Sequence, residues 1–128
     1  VLEKKLRKNT SIGILGLAYK DKTNSIKNSP AIELIKKIKN NKILGYDPLV
    51  KIKKINLNFN QTNDIKKVIK DSDIIILMTN WKNTKKIKND FKNMNLKKKI
   101  ILDPHGLLKS FINKNFKEYF TLGEKIEL

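Results

Sequence analysis

The stretch TSIGILG at residues 10–16, continuing as LAYKDKTNSIKN at 17–28 and SPAIELIKKI at 29–38, decides how this chain folds. Thr10 to Gly16 is an apolar run too short for a helix and closed by glycine, which reads as a buried strand. A polar loop follows from Leu17 to Ser29. Ser29 can then accept from the free amides of a helix start, Pro30 suits the first helical position, and Glu33 places negative charge near the positive helix end. Ala31, Leu34, Ile35 and Ile38 recur at helical spacing and form the expected core face. The unit is strand, loop, helix.

The same alternation continues outward from that unit. Residues 42–46, Lys-Ile-Leu-Gly-Tyr, predict a second strand, stopped by Asp47-Pro48 because proline cannot donate to a ladder. Thr62 or Asn63 can cap a helix carrying Ile65, Val68 and Ile69 on one side. Asp73 to Met78 is apolar without interruption, as expected for a strand buried on both faces of a parallel sheet. Ile87, Phe91 and Met94 fall at helical spacing before a fourth strand, Lys99 to Leu102, and Glu118 to Leu122 supplies a fifth after a segment from Leu107 to Phe116. Repeated β-α units predict one α/β domain, three-layered, with a mostly parallel sheet of about five strands. Residues 1–9 read as the end of a connecting helix or linker, and residues 10–128 as the domain.

The 128 residues suffice for one core, and a hydrophobic content of 39% with real apolar runs separates the chain from a disordered polymer. There is no cysteine, which excludes disulfides, thiolate metal sites and a cysteine nucleophile. A lone histidine, His105, cannot make a zinc cluster, so no metal site is expected. No apolar run approaches the ~20 residues of a bilayer span, and residues 1–10 lack the apolar core of an export signal. The reading is a cytoplasmic protein with no membrane partner. A start on Val1 suggests a segment of a longer polypeptide. The net charge of +17 raises a nucleic-acid surface as an alternative function. Lysine, asparagine and isoleucine are over-used throughout, however, as an AT-rich genome would produce. The basic residues make no single stripe, and the aromatics do not interleave with them for base stacking.

In an open parallel sheet the carboxyl ends of the strands form the ligand crevice, which points to the loops after the first and fourth predicted strands. The first carries Gly13-x-x-Gly16 and then Leu17-Ala18-Tyr19-Lys20. Glycine lets backbone approach closely and Lys20 offers a mobile cation for a phosphate. Neither the full Gly-x-Gly-x-x-Gly fingerprint nor a P-loop ending is present, and tight strand-helix packing explains the glycines equally well. Asp47 and Asp103 stand at strand ends where catalysis is conceivable and where turn or capping roles serve as well. Tyr46 and Trp81 read as packing residues.

Taken together, Ile12 to Lys20, Thr23, Lys27, Ser29-Pro30-Ala31, Tyr46-Asp47-Pro48, Thr79-Asn80-Trp81 and Asp103-x-x-x-Leu107-Leu108 resemble the C-terminal domain of the UDP-glucose/GDP-mannose dehydrogenase family. The resemblance runs from about Thr10 to Gly123. It implies a Rossmann-like domain that holds the UDP-sugar of an enzyme oxidising the sugar C6 alcohol to a carboxylate, with NAD as cofactor. By position, Tyr19 and Lys20 would contact substrate. His105 stands where the family uses an arginine on the substrate, and Lys27 stands where a basic residue reaches the NAD. A lysine lacks the arginine fork, and a neutral imidazole offers a hydrogen bond without fixed charge. The resemblance also implies an N-terminal NAD-binding domain of the same enzyme as partner, and a homo-oligomer for the full-length protein. The family's catalytic thiol, which forms a covalent intermediate, has no counterpart here. No residue is therefore assigned a catalytic role, and the chain alone is expected to be inactive.

Overall fold

The computed structural model describes residue 7 and residues 9–52, 54–111, 116–121 and 124–126. The opening stretch forms strand β1 (Ile12–Leu15) and helix α1 (Pro30–Lys37). Ser29 caps α1 as expected, its Oγ accepting from the Ile32 N–H at 3.3 Å, with Pro30 in the first turn. Then come β2 (Ile43–Tyr46), β3 (Phe59–Gln61), α2 (Ile65–Asp71), β4 (Ile74–Leu77), α3 (Thr84–Phe91) and β5 (Ile100–Leu102). A 3₁₀ turn at Lys109–Phe111, β6 (Glu118–Thr121) and β7 (Glu124–Ile126) complete the described elements.

The strands form a single sheet in the order β3-β2-β1-β4-β5-β6-β7. All neighbours from β3 to β6 pair parallel, and β7 joins β6 antiparallel. The chain winds outward from β1 through β2 to β3, then crosses back through α2 to β4 on the other side of β1. The place where the winding reverses therefore lies between β1 and β4. The α/β, mostly parallel architecture agrees with the sequence, with β3 and β7 added to the five strands expected. The fifth predicted strand is β6; Leu122 lies outside the described residues, as do Val1 to Leu6 and Lys8 of the predicted linker.

Alternation along β4 explains the three layers. Ile74 and Ile76 enter one apolar cluster with Ile12, Ile14, Ile43 and α1 residues Ala31, Ile32 and Ile35. Ile75 and Leu77 enter a second cluster on the other face, with Val68, Ile69, Ile87, Phe91 and Tyr119. A strand's side chains alternate between faces, so an uninterrupted apolar run serves two cores at once. Two local expectations need correction. Ile32 takes a buried place on α1 while Leu34 is only half-buried. The cap of α2 is Asp64, which accepts from the Lys66 N–H at 3.1 Å, while the Thr62 Oγ1 accepts from the Asp64 N–H instead.

Candidate functional site

At the carboxyl end of β1 the chain makes a tight, fully anchored turn. Gly16 adopts φ +101°, a left-handed conformation that a side chain disfavours, and its N–H donates to the Tyr46 carbonyl at 2.8 Å. A Cβ there would collide with the Thr79 Oγ1, so β1 and the end of β4 can approach only with glycine at this position. The buried carboxylate of Asp47 holds the next residues of the loop. Its Oδ2 accepts from the Leu17 and Ala18 N–H groups at 2.8 and 3.1 Å, and its Oδ1 accepts from the Leu49 and Val50 N–H groups at 2.8 and 2.9 Å. Ser29 Oγ donates to the Leu17 carbonyl at 2.7 Å, and Thr79 Oγ1 to the Ala18 carbonyl at 3.0 Å. Residues 16–18 are thus tied to β2, β4 and α1 together.

Tyr19 and Lys20 emerge directly from this anchored turn into solvent, Tyr19 with 57% of its surface exposed. An exposed aromatic ring and a lysine side by side on a fixed base make a presented pair, since ordering the backbone beforehand lowers the entropy lost on binding. The loop then continues through small turns. Asp21 Oδ2 accepts from the Lys82 N–H at 3.0 Å, Thr23 Oγ1 from the Ser25 N–H, and Ser25 Oγ from the Lys27 N–H. Lys27 is exposed two residues before the buried cap Ser29.

The loop after β5 is built on a second buried carboxylate. Asp103 accepts from the Leu107 and Leu108 N–H groups at 2.9 and 2.8 Å and from the Tyr119 hydroxyl. Burial, and then the bond to Asp103, raises the Tyr119 hydroxyl pKa far above its ordinary value, which keeps it a donor. Pro104 and His105 stand exposed at the tip of the turn, which Gly106 closes with φ +68°. Tyr19, Lys20, Lys27 and His105 all lie at the carboxyl edge of the sheet, the first three on the β1 loop and His105 two strands away across β4. Both aspartates serve as turn ties, with backbone N–H groups at every quoted contact save the tyrosine.

Beside the β1 loop lies a cleft of about 460 Å³ that sequence reasoning did not find. Its walls include Asp21, Tyr46, Ile65, Trp81, Lys86 and Asp90, and none of the four residues picked from the sequence lines it. Trp81 packs into the second core as expected and also faces this space. The missed residue is Asp90. A carboxylate three residues after Ile87 and beside Phe91 interrupts the apolar stripe of α3, a signal that periodicity alone could have flagged. Among the described residues no group of three or more His, Asp or Glu side chains could hold a metal ion, and no helix is long and apolar enough to cross a membrane.

Comparison with known proteins agrees with this architecture. The sequence model of the UDP-glucose/GDP-mannose dehydrogenase family, UDP binding domain, matches residues 13–110. A UDP-glucose 6-dehydrogenase of Rickettsia bellii is 32% identical over 126 residues, 93% of this chain and 29% of that protein. A UDP-N-acetyl-D-mannosamine dehydrogenase of Pyrococcus horikoshii is 31% identical over 101 residues, 77% of this chain and 22% of that protein. The chain thus spans about a quarter of the length of these relatives. Among solved structures, the UDP-D-ManNAc dehydrogenase of Pyrococcus horikoshii superposes with a TM-score of 0.66 at 29% identity, over 95% of this chain and 28% of that one. The UDP-N-acetyl-mannosamine dehydrogenase Cap5O of Staphylococcus aureus shares the fold, with a TM-score of 0.65 at 23% identity, over 94% of this chain and 27% of that one. By the domain matched and by these relatives, the chain belongs to the UDP-glucose/GDP-mannose dehydrogenase family, whose UDP binding domain it carries.

Proposed function

We propose that residues 10–128 form the substrate-holding C-terminal part of an NAD-dependent UDP-sugar 6-dehydrogenase, in which residues 1–9 lead in from an N-terminal NAD-binding domain. The observation that carries this reading is the anchored β1 turn presenting Tyr19 and Lys20 at the carboxyl edge of the sheet, in a chain of this family. Lys20 supplies a point charge for the pyrophosphate, Tyr19 packs on the ligand with its exposed ring, and His105 offers a hydrogen bond from the loop after β5, across β4. Oxidation of the sugar belongs to the whole enzyme, where NAD supplies the hydride acceptor. The dinucleotide is assigned mainly to the N-terminal domain, and the glycines here serve close packing: a Cβ at Gly13 would meet Ser72 and Val68, and one at Gly16 would meet Thr79. Lys27 then reaches only the edge of a cofactor held elsewhere.

Titration calorimetry with UDP-glucose and UDP-N-acetylhexosamine tests the reading. Lys20→Ala should weaken binding by roughly 10- to 150-fold, the worth of one hydrogen bond to a charged group. Lys97 is exposed just before β5, at the opposite edge of the sheet, and Lys97→Ala should change affinity little at moderate salt. Equal losses in both variants would show a diffuse charge effect and remove the site assignment. The purified chain given NAD and any UDP-sugar should form no NADH, since it has no thiol to carry the covalent step. Measurable NADH from clean material would overturn that expectation.

A further inference from the structure

The cleft beside the β1 loop has the make-up of a second ligand site. Its walls come from the two loops that flank the winding reversal, Asp21 and Lys22 after β1 and Trp81 to Asn83 after β4, joined by Tyr46 at the end of β2 and Pro48 beyond it. Helices α2 and α3 close the sides with Ile65, Ile87 and Asp90. A volume of about 460 Å³ suits a small molecule, and the crevice at a winding reversal is where doubly wound sheets take their ligands.

The chemistry of the walls narrows the occupant. Trp81, Ile65, Ile87 and Pro48 provide flat and aliphatic surface for a ring. Asp90 Oδ2 is buried yet has no hydrogen-bond partner among the described residues, and an orphaned buried acceptor is costly enough to call for an explanation. Burial holds the Asp90 carboxyl above the usual range, opposed by Lys86 and Lys66. Burial, and then Asp90 and Asp47, raises the Tyr46 hydroxyl pKa, which leaves a neutral donor at the wall. At the rim stand the exposed lysines Lys22, Lys82 and Lys86, while the Asp21 carboxylate is engaged by the Lys82 N–H.

We propose that this cleft binds a nucleoside monophosphate, with the base against Trp81, a base N–H donating to Asp90, and the phosphate among Lys22, Lys82 and Lys86. The site is separate from the Tyr19–Lys20 substrate site and does not depend on that assignment. A ring alone would leave the lysines unused, and a phosphate alone would leave the apolar walls and the Asp90 acceptor unmet.

Trp81 is the only tryptophan of the chain, so its fluorescence reports on the cleft without a label. Titration of the 128-residue chain with AMP and with UMP, excited at the red edge, should give saturable quenching by at least one of them. Ribose 5-phosphate should bind at least tenfold more weakly, and inorganic phosphate should leave the signal unchanged. Asp90→Ala removes the orphaned acceptor and introduces the best helix former, so the fold is retained while nucleotide affinity falls about tenfold. Lys82→Glu with Lys86→Glu should weaken binding at least as much, whereas Lys97→Ala, at the opposite edge of the sheet, should leave it unchanged and saturating UDP-glucose should not displace the nucleotide. Three results would each overturn the proposal: no saturable quenching by either nucleotide at 10 mM, equal binding of ribose 5-phosphate, or displacement of the nucleotide by UDP-glucose. The last would assign the cleft to the substrate site. Failure of UDP-glucose to bind at all, with AMP still bound, would count against the proposed function alone.

Discussion

Replacing Asp47 with alanine should lower the unfolding free energy by about 3–5 kcal/mol, the largest loss expected from a single side chain here. The carboxylate is buried and accepts four backbone N–H groups, two from the β1 turn and two from the segment after β2. Each bond to a charged acceptor contributes about 1.5–3 kcal/mol, but the four share one side chain and relax together, so the total falls well short of their sum. Removal leaves Leu17 and Val50 N–H groups in buried surroundings without a partner. Urea denaturation followed by circular dichroism measures the loss. Asp47→Asn should lose roughly half as much, because one amide oxygen can still accept from one pair while the NH₂ faces donors on the other side. A loss below about 1 kcal/mol for the alanine variant would mean that the Gly16, Ser29 and Thr79 bonds hold the turn without the carboxylate.

Gly16→Ala should destabilise by about 4 kcal/mol for two independent reasons. The residue sits at φ +101°, where an L side chain strains the backbone, and the new Cβ would collide with the Thr79 Oγ1. The origin of the loss can be read from a double variant. Thr79→Ala removes the hydroxyl but leaves the Thr79 Cβ at 2.6 Å and its backbone nitrogen at 2.7 Å. Since β4 would have to move to relieve those contacts, the second substitution should restore little, and it also removes the bond from Thr79 Oγ1 to the Ala18 carbonyl. Thermal unfolding of the two variants settles the matter: full recovery in the double variant would place the whole clash on one hydroxyl.

What could be read from the sequence depended on whether one side chain or many carried the signal. The strands β1, β2, β4 and β5 announce themselves by runs of apolar residues, β6 by the pair Tyr119-Phe120, and α1 by a serine-proline start. The strand β3, Phe59-Asn60-Gln61, buries only Phe59 and lies in an asparagine-rich stretch, so its pairing with β2 is decided by tertiary context. Asp64 was hidden as a cap among three adjacent residues of the capping type, and only the backbone geometry chose between them. The β1 loop was legible because its residues are contiguous. The cleft was not, because its walls come from positions between Asp21 and Asp90 that no linear pattern connects.

The alternate side chains of β4 have a consequence for how the molecule holds together. Ile74 and Ile76 lean on one helical layer while Ile75 and Leu77 lean on the other two helices. The layers therefore share a single structural member rather than two separable hydrophobic halves. Loosening either side withdraws support from the strand on which the opposite side rests, and with it from the Met78 N–H bond to the Leu15 carbonyl and the Thr79 bond to Ala18. The domain is expected to unfold as one cooperative unit, with the turn that carries Tyr19 and Lys20 losing its order in the same transition as the two cores.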